Sequence, residues 1–196
     1  GFSFDLDSPL DMRMDQSSDL TAEIVLNELS QKALTRIFYD YGEELNASRI
    51  AGKIVKIREE QPFKTTGDLV KVIESVVGKG TKASLKTKAR IFQALRIYVN
   101  QELEILEQAL KDAINIIEPG GRIVVLSYHS LEDRIVKNVF RSAAEGEEQT
   151  SEASFLNSTK KRKLQLLTRK PLQADDEEIN NNPHSRSVKL RAAEKI

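Results

Sequence analysis

Apolar positions recur at helical spacing through most of residues 20–117, and then the period changes. Over residues 20–74 four short helices are predicted. Leu20, Ile24 and Leu29 mark the first. Ser30, a good N-cap residue, opens the second, with Leu34, Ile37, Phe38 and Tyr41 on one stripe and Gly42 as its stop. Ile50, Ile54 and Ile57 share a face of the third, which ends before Pro62. Thr65 and Asp68 stand at capping-box spacing ahead of the fourth, striped by Leu69, Val72, Ile73 and Val76 and closed by Gly78 and Gly80. Short helices of this kind bury a common core only by packing on one another. A basic, glycine-containing link at 79–88 leads into a long helical pattern over 86–117, with Asn100 as a candidate break and Pro119-Gly120-Gly121 as the stop.

Arg122 to Ser127 is then a β-branched apolar run, which predicts a strand buried on both faces, as in a parallel sheet. Ser130 and Asp133 at capping-box spacing predict a helix over 131–142, with Ser130 as its cap. A polar loop is expected at 145–158, and partial alternation predicts strands at 163–169 and 187–193, separated by a polar excursion over 173–186. Helix, turn, strand, loop, helix is an α/β unit. Residues 1–18, with Ser8-Pro9 and four aspartates, read as an irregular loop. One parallel strand with two alternating ones is only part of a sheet. The missing strands are expected upstream of Gly1, and the exposed edge invites pairing into homodimers.

Composition narrows the function. The chain has 196 residues and no cysteine, which excludes disulfides, thiolate metal sites and thiol nucleophiles. Two histidines, His129 and His184, are too few for a histidine-based metal cluster. The apolar runs are too short to span a bilayer, no basic-then-apolar signal opens the chain, and a cytoplasmic location is the default. The 30 basic and 30 acidic residues cancel, but they are clustered. Glu145, Glu147, Glu148 and Glu152 precede the basic run Lys160, Lys161, Arg162 and Lys163. That run, with Arg186, Lys189 and Arg191 of the last strand, has the charge needed to hold RNA phosphates.

GFSF at 1–4, PLDMRMD at 9–15, YGEE at 41–44, FQALRIYVNQEL at 92–103, PGGRIVVLSYHSLEDRIVK at 119–137 and NPHSRSVKLRAAEK at 182–195 occur in that order. Together they resemble the bacterial small-subunit rRNA (cytosine-N4)-methyltransferases, the MraW or RsmH family. The resemblance implies an α/β fold: the later half of a Rossmann-like methyltransferase sheet plus an all-helical insertion domain. On that reading residues 1–18 are an active-site loop, 19–84 the insertion, and 85–196 the partial methyltransferase domain, with PGGRIVVLS as the fifth strand. It implies S-adenosylmethionine as donor, the N4 amine of a cytidine as acceptor and small-subunit rRNA as partner.

The family's donor-binding elements lie before GFSF, and Pro119-Gly120-Gly121 precedes its strand instead of following it. This chain by itself is therefore expected to bind S-adenosylmethionine only weakly and to be inactive alone.

The candidates for catalysis are Asp11, Arg13, Asp15 and His129. Arg13 could clamp a phosphate, either carboxylate could accept from an amine or ribose, and His129 ends a strand where ligands of open sheets gather. Arg96 and Asn100, polar among apolar neighbours, either face a cleft or cap a helix. A second reading stays open, a non-catalytic helical RNA- or protein-binding module. A strand and glycine-rich turn encoded upstream of Gly1 would discriminate the two.

Overall fold

The computed structural model describes residues 2–146 and 162–196, and Lys160 and Lys161 fall outside them. The chain divides into two compact units, Gly1–Glu102 and Leu103–Ile196.

The first unit is helical. It comprises α1 (Ala22–Glu28), α2 (Gln31–Asp40), α3 (Ala47–Arg58), α4 (Thr66–Val77) and α5 (Lys82–Asn100). Thr21, Ser30 and Thr81 cap α1, α2 and α5 by accepting from the N–H of the residue three positions on. The long helix thus starts at Lys82, earlier than its apolar stripe implied. It breaks where Gln101 takes a left-handed φ of 50°. α5 packs on α1, α2 and α4, and α3 packs on α2 and α4. Leu26, Leu34, Phe38, Ile54, Ile73 and Leu95 lie in the shared core.

Gly42 stands where α2 ends against α5. A Cβ there would lie 2.7 Å from the carbonyl oxygens of both Arg90 and Phe38. Because both obstacles are backbone, Gly42→Ala is expected to cost about 1–3 kcal/mol through overpacking. Urea unfolding measures this, and an unchanged midpoint would show that the two helices can separate freely.

The segment before α1 is more ordered than its irregular sequence predicts. Pro9 forms an antiparallel bridge with Thr65, and Leu10 and Met12 are each 1% exposed. Leu10 and Met12 enter the helical core, while Leu6 and Met14 beside them stay exposed. Phe4 meets the Phe92 ring edge to face at 5.6 Å.

The second unit is α/β. It holds α6 (Glu102–Ile116), whose first residue closes the helical unit, then β1 (Arg122–Ser127), α7 (Ser130–Glu145), β2 (Leu164–Leu166), α8 (Asp176–Asn181), a 3-10 turn (Pro183–Ser187) and β3 (Lys189–Lys195). The sheet order is β1-β3-β2, and both pairings are antiparallel. Ile123 and Val125 of β1 pack with Leu110, Ile114, Val136 and Phe140.

β1 departs from its expected burial on both faces. It pairs only with β3 among the described residues, and Val124 and Leu126 are more than half exposed. One face meets helices and the other meets solvent, so apolar composition alone overstated its cover. The predicted excursion over 173–186 contains α8 and the 3-10 turn, and Leu172 bridges back to Leu190. Pro119-Gly120-Gly121 is tied to the end of the sheet. Gly120 N–H donates to the Lys195 carbonyl (2.8 Å) and Lys195 N–H donates to that of Gly121 (2.9 Å).

Candidate functional site

The PLDMRMD loop belongs to the helical unit, and α5 holds it. Asn100 Nδ2 donates to the carbonyls of Met12 (2.7 Å) and Arg96 (2.8 Å), while its Oδ1 accepts from Met14 N–H (2.7 Å). Met12 carries a left-handed φ of 62°, a conformation non-glycine residues keep only where the surroundings enforce it. Asn100 is therefore a clamp on this loop. Arg96 is turned to Glu102, at 2.8 and 3.0 Å.

Within the loop Asp11 and Arg13 come together. Arg13 Nε and Nη2 donate to the two Asp11 oxygens at 2.7 and 3.0 Å, and Nη1 donates to the carbonyls of Ser18 (2.6 Å) and Gln16 (3.2 Å). The guanidinium is thus engaged by the loop it folds. The Arg13 contact holds the Asp11 carboxyl below the usual range, so the pair stays ionised. Asp15 Oδ1 accepts from the Ser17 hydroxyl (2.7 Å) and N–H (2.9 Å), which lower its pKa. Of the two carboxylates, only that of Asp15 keeps an oxygen without a hydrogen bond.

In the α/β unit, His129 ends the segment after β1 and caps α7. Its Nδ1 accepts from Glu132 N–H (3.3 Å), and Glu132 Oε2 accepts from the N–H groups of Tyr128 (2.7 Å) and His129 (3.2 Å). The cap is thus His129, one residue before the predicted Ser130, and the reciprocal partner is Glu132 in place of Asp133. Burial raises the Glu132 pKa, but the contact with His129 and the two N–H groups outweigh it and leave it lowered.

With Nδ1 accepting, the proton of a neutral His129 sits on Nε2. That atom is buried. It lies 3.3 Å from Glu132 Oε1 without hydrogen-bond geometry, and among the described residues it has no hydrogen-bond partner. The Ser127 hydroxyl, two residues earlier, is likewise buried and unpartnered. Two orphaned donors at one strand end are a costly arrangement that calls for a ligand or neighbour. Ser127 was not singled out in the sequence, where it reads as one more residue of an apolar strand.

Asp133 is drawn away from the cap by Arg191, whose Nε and Nη2 donate to its two oxygens at 2.6 and 3.2 Å. Both residues are buried, at 8% and 6% exposure, and the Arg191 contact holds the Asp133 pKa down. Lys189 adds a 3.4 Å contact to the same carboxylate. Arg191 is therefore engaged inside the unit, and Lys189 is half-occupied by an internal partner. Of the other predicted RNA contacts, Arg162 and Arg186 are exposed and Lys163 is half-buried. His184 is exposed, and its N–H donates to Asn182 Oδ1 (3.3 Å) within the 3-10 turn.

The model of the MraW methylase family matches residues 1–196. The chain belongs to that family. Among curated relatives it is similar to the ribosomal RNA small subunit methyltransferase H of Geotalea uraniireducens, with 50% identity over 197 residues that cover all of this chain and 63% of the relative. It is 48% identical to the protein of the same name in Geotalea daltonii and 44% identical to that of Halothermothrix orenii, with the same coverage. The chain thus spans 63% of the length of these relatives.

The start of α7 does not fit a methyl donor held at a helix N-terminus. A donor held at a helix N-terminus needs free N–H groups and a glycine beside them. At α7 the turn from Ser127 to Ser130 has no glycine, and Glu132 already accepts from Tyr128 and His129 N–H.

Proposed function

We propose that this chain is part of a small-subunit rRNA (cytosine-N4)-methyltransferase. Its helical unit would contain the insertion of residues 19–84. Its antiparallel strands would form the far end of a Rossmann-like sheet within 85–196. The observation that carries this reading is the uninterrupted family match from residue 1 to residue 196. S-Adenosylmethionine would supply the methyl group.

Cytosine N4 is a weak nucleophile because its lone pair is delocalised into the ring. The protein must accept its protons and align an extruded base. Asp15, ionised and with one carboxylate oxygen unused, is suited to accept from an amine. His129 Nε2, a buried donor, is suited to hold a carbonyl or ring-nitrogen acceptor and not to remove a proton.

The test is a chimera of the Geotalea uraniireducens relative that carries this chain in place of its matching segment. Small-subunit rRNA modified by the chimera is digested and examined by mass spectrometry. The expected product is N4-methylcytidine, and Asp15→Asn is expected to lower kcat by about a hundredfold or more with little change in the protein's melting temperature. A folded chimera that methylates another atom, or none, would overturn the reading.

A further inference from the structure

A groove of about 470 Å³ runs between α7 and the segment around β2, and its walls are unusually basic. Lys137 and Arg141 line it from α7, and Arg162 and Arg169 line it from either side of β2. Phe140 and Leu166 contribute apolar surface. Lys137, Arg162 and Arg169 are exposed and have no ion-pair partner among the described residues. Arg141 pairs with Glu145 across the open surface at 2.6 Å, with side chains 68% and 59% exposed, a contact worth little in water. Arg191 also reaches the groove but is neutralised by Asp133. Among the described residues, four cations without a buried partner therefore face a single acid at this groove.

A purely structural account covers part of this. Lys137 and Arg141 are one turn apart on the exposed face of α7, where solvated cations are ordinary. That account says nothing about Arg162 and Arg169, which belong to another segment and converge on the same groove. The negative end of the helix also makes this a poor cradle for one small anion. Charges spread over two elements, one helical turn apart on α7, instead suit a chain of phosphates, and arginine forks match phosphate oxygens.

We propose that this groove binds the sugar–phosphate backbone of the substrate RNA, independently of base sequence. The proposal rests on the rRNA reading above and adds Lys137, Arg141 and Arg169 to the RNA-holding surface. The test is fluorescence anisotropy of the full 196-residue chain with a labelled small-subunit rRNA hairpin, followed across a KCl series. Arg162→Gln/Arg169→Gln is expected to weaken binding roughly tenfold, and to flatten the dependence of log affinity on log salt by about 0.7 for each lost single-strand phosphate contact. Glu145→Gln is expected to tighten binding, a direction that lost packing would not produce. Circular dichroism confirms that each variant is folded.

Wild-type binding with a double variant of unchanged affinity and slope would overturn the groove and leave the rRNA reading standing. A wild-type chain that does not bind the hairpin at all would overturn both. Inorganic phosphate that raises the melting temperature of wild type but not of the double variant, with RNA affinity unaffected, would identify a small-anion site and also overturn the proposal. The methylation outcome of the chimera does not enter this measurement.

Discussion

Arg191→Ala is expected to destabilise the α/β unit by about 3–5 kcal/mol at neutral pH, because it leaves the Asp133 carboxylate buried without its bidentate partner. Lys189, at 3.4 Å and 31% exposed, compensates only in part. A double variant, Asp133→Leu/Arg191→Met, should recover most of the loss, since replacing both charges removes the desolvation penalty along with the attraction.

The pH dependence has a defined sign. The native Asp133 pKa lies below its unfolded value of about 3.9, with Arg191 as the largest cause. The pair's stabilisation is therefore full above that unfolded value and is lost as pH falls through the depressed native one. Urea midpoints of wild type and Arg191→Ala should begin to converge as pH falls below about 3.9. A gap that stays constant from pH 7 to pH 3 would show that the pair contributes packing and not charge. The consequence reaches the site, because Asp133 lies in the first turn of the helix that His129 caps.

Asn100→Ala should cost about 2–3 kcal/mol, the sum of three short hydrogen bonds at roughly 1 kcal/mol each. It would strand the Met12 carbonyl and the Met14 N–H. Because one side chain joins α5 to the PLDMRMD loop, the effect should concentrate there. Hydrogen exchange at Met14 is expected to accelerate far more than exchange in the buried turns of α3. Asn100→Asp, which turns a carboxylate oxygen toward the Met12 and Arg96 carbonyls in place of a donor, should cost at least as much as Ala. Loss of less than about 0.5 kcal/mol with unchanged exchange would mean that Leu10 and Met12, buried in the helical core, hold the loop without help.

The contrast between these two sites shows what a sequence displays. The stripes of α2 and α4, and the Thr65–Asp68 spacing, are set by neighbours within a few residues, and they are found where the pattern puts them. The family resemblance, carried by six ordered motifs, was likewise legible and is matched along the whole chain. The Asp133–Arg191 pair joins residues 58 apart, and nothing local marks an arginine in an alternating strand as the one facing inward. Charge alone therefore pointed Arg191 and Lys189 outward.

The cap of α7 shifted by one residue for the same reason. Ser130 was the better cap residue at the same three-residue spacing, but a distant guanidinium captured Asp133 and left Glu132 to reach back. The groove was half visible. Arg162 stood out in a basic run, whereas Lys137 and Arg141 read as ordinary polar positions of a surface helix until β2 came alongside.

The order of strands across the sheet constrains how the α/β unit can be built. β3 lies between β1 and β2, yet it is the last of the three in sequence. During synthesis, β1 and β2 would leave the ribosome with nothing to bind them to each other. The helical unit, complete by Glu102, can fold much sooner. The α/β unit should therefore assemble in a late step, once the residues through Lys195 have emerged. Until then Val124 and Leu126 of β1 are joined in exposure by the edge that later pairs with β3, which makes this the interval in which a nascent chain most needs a chaperone.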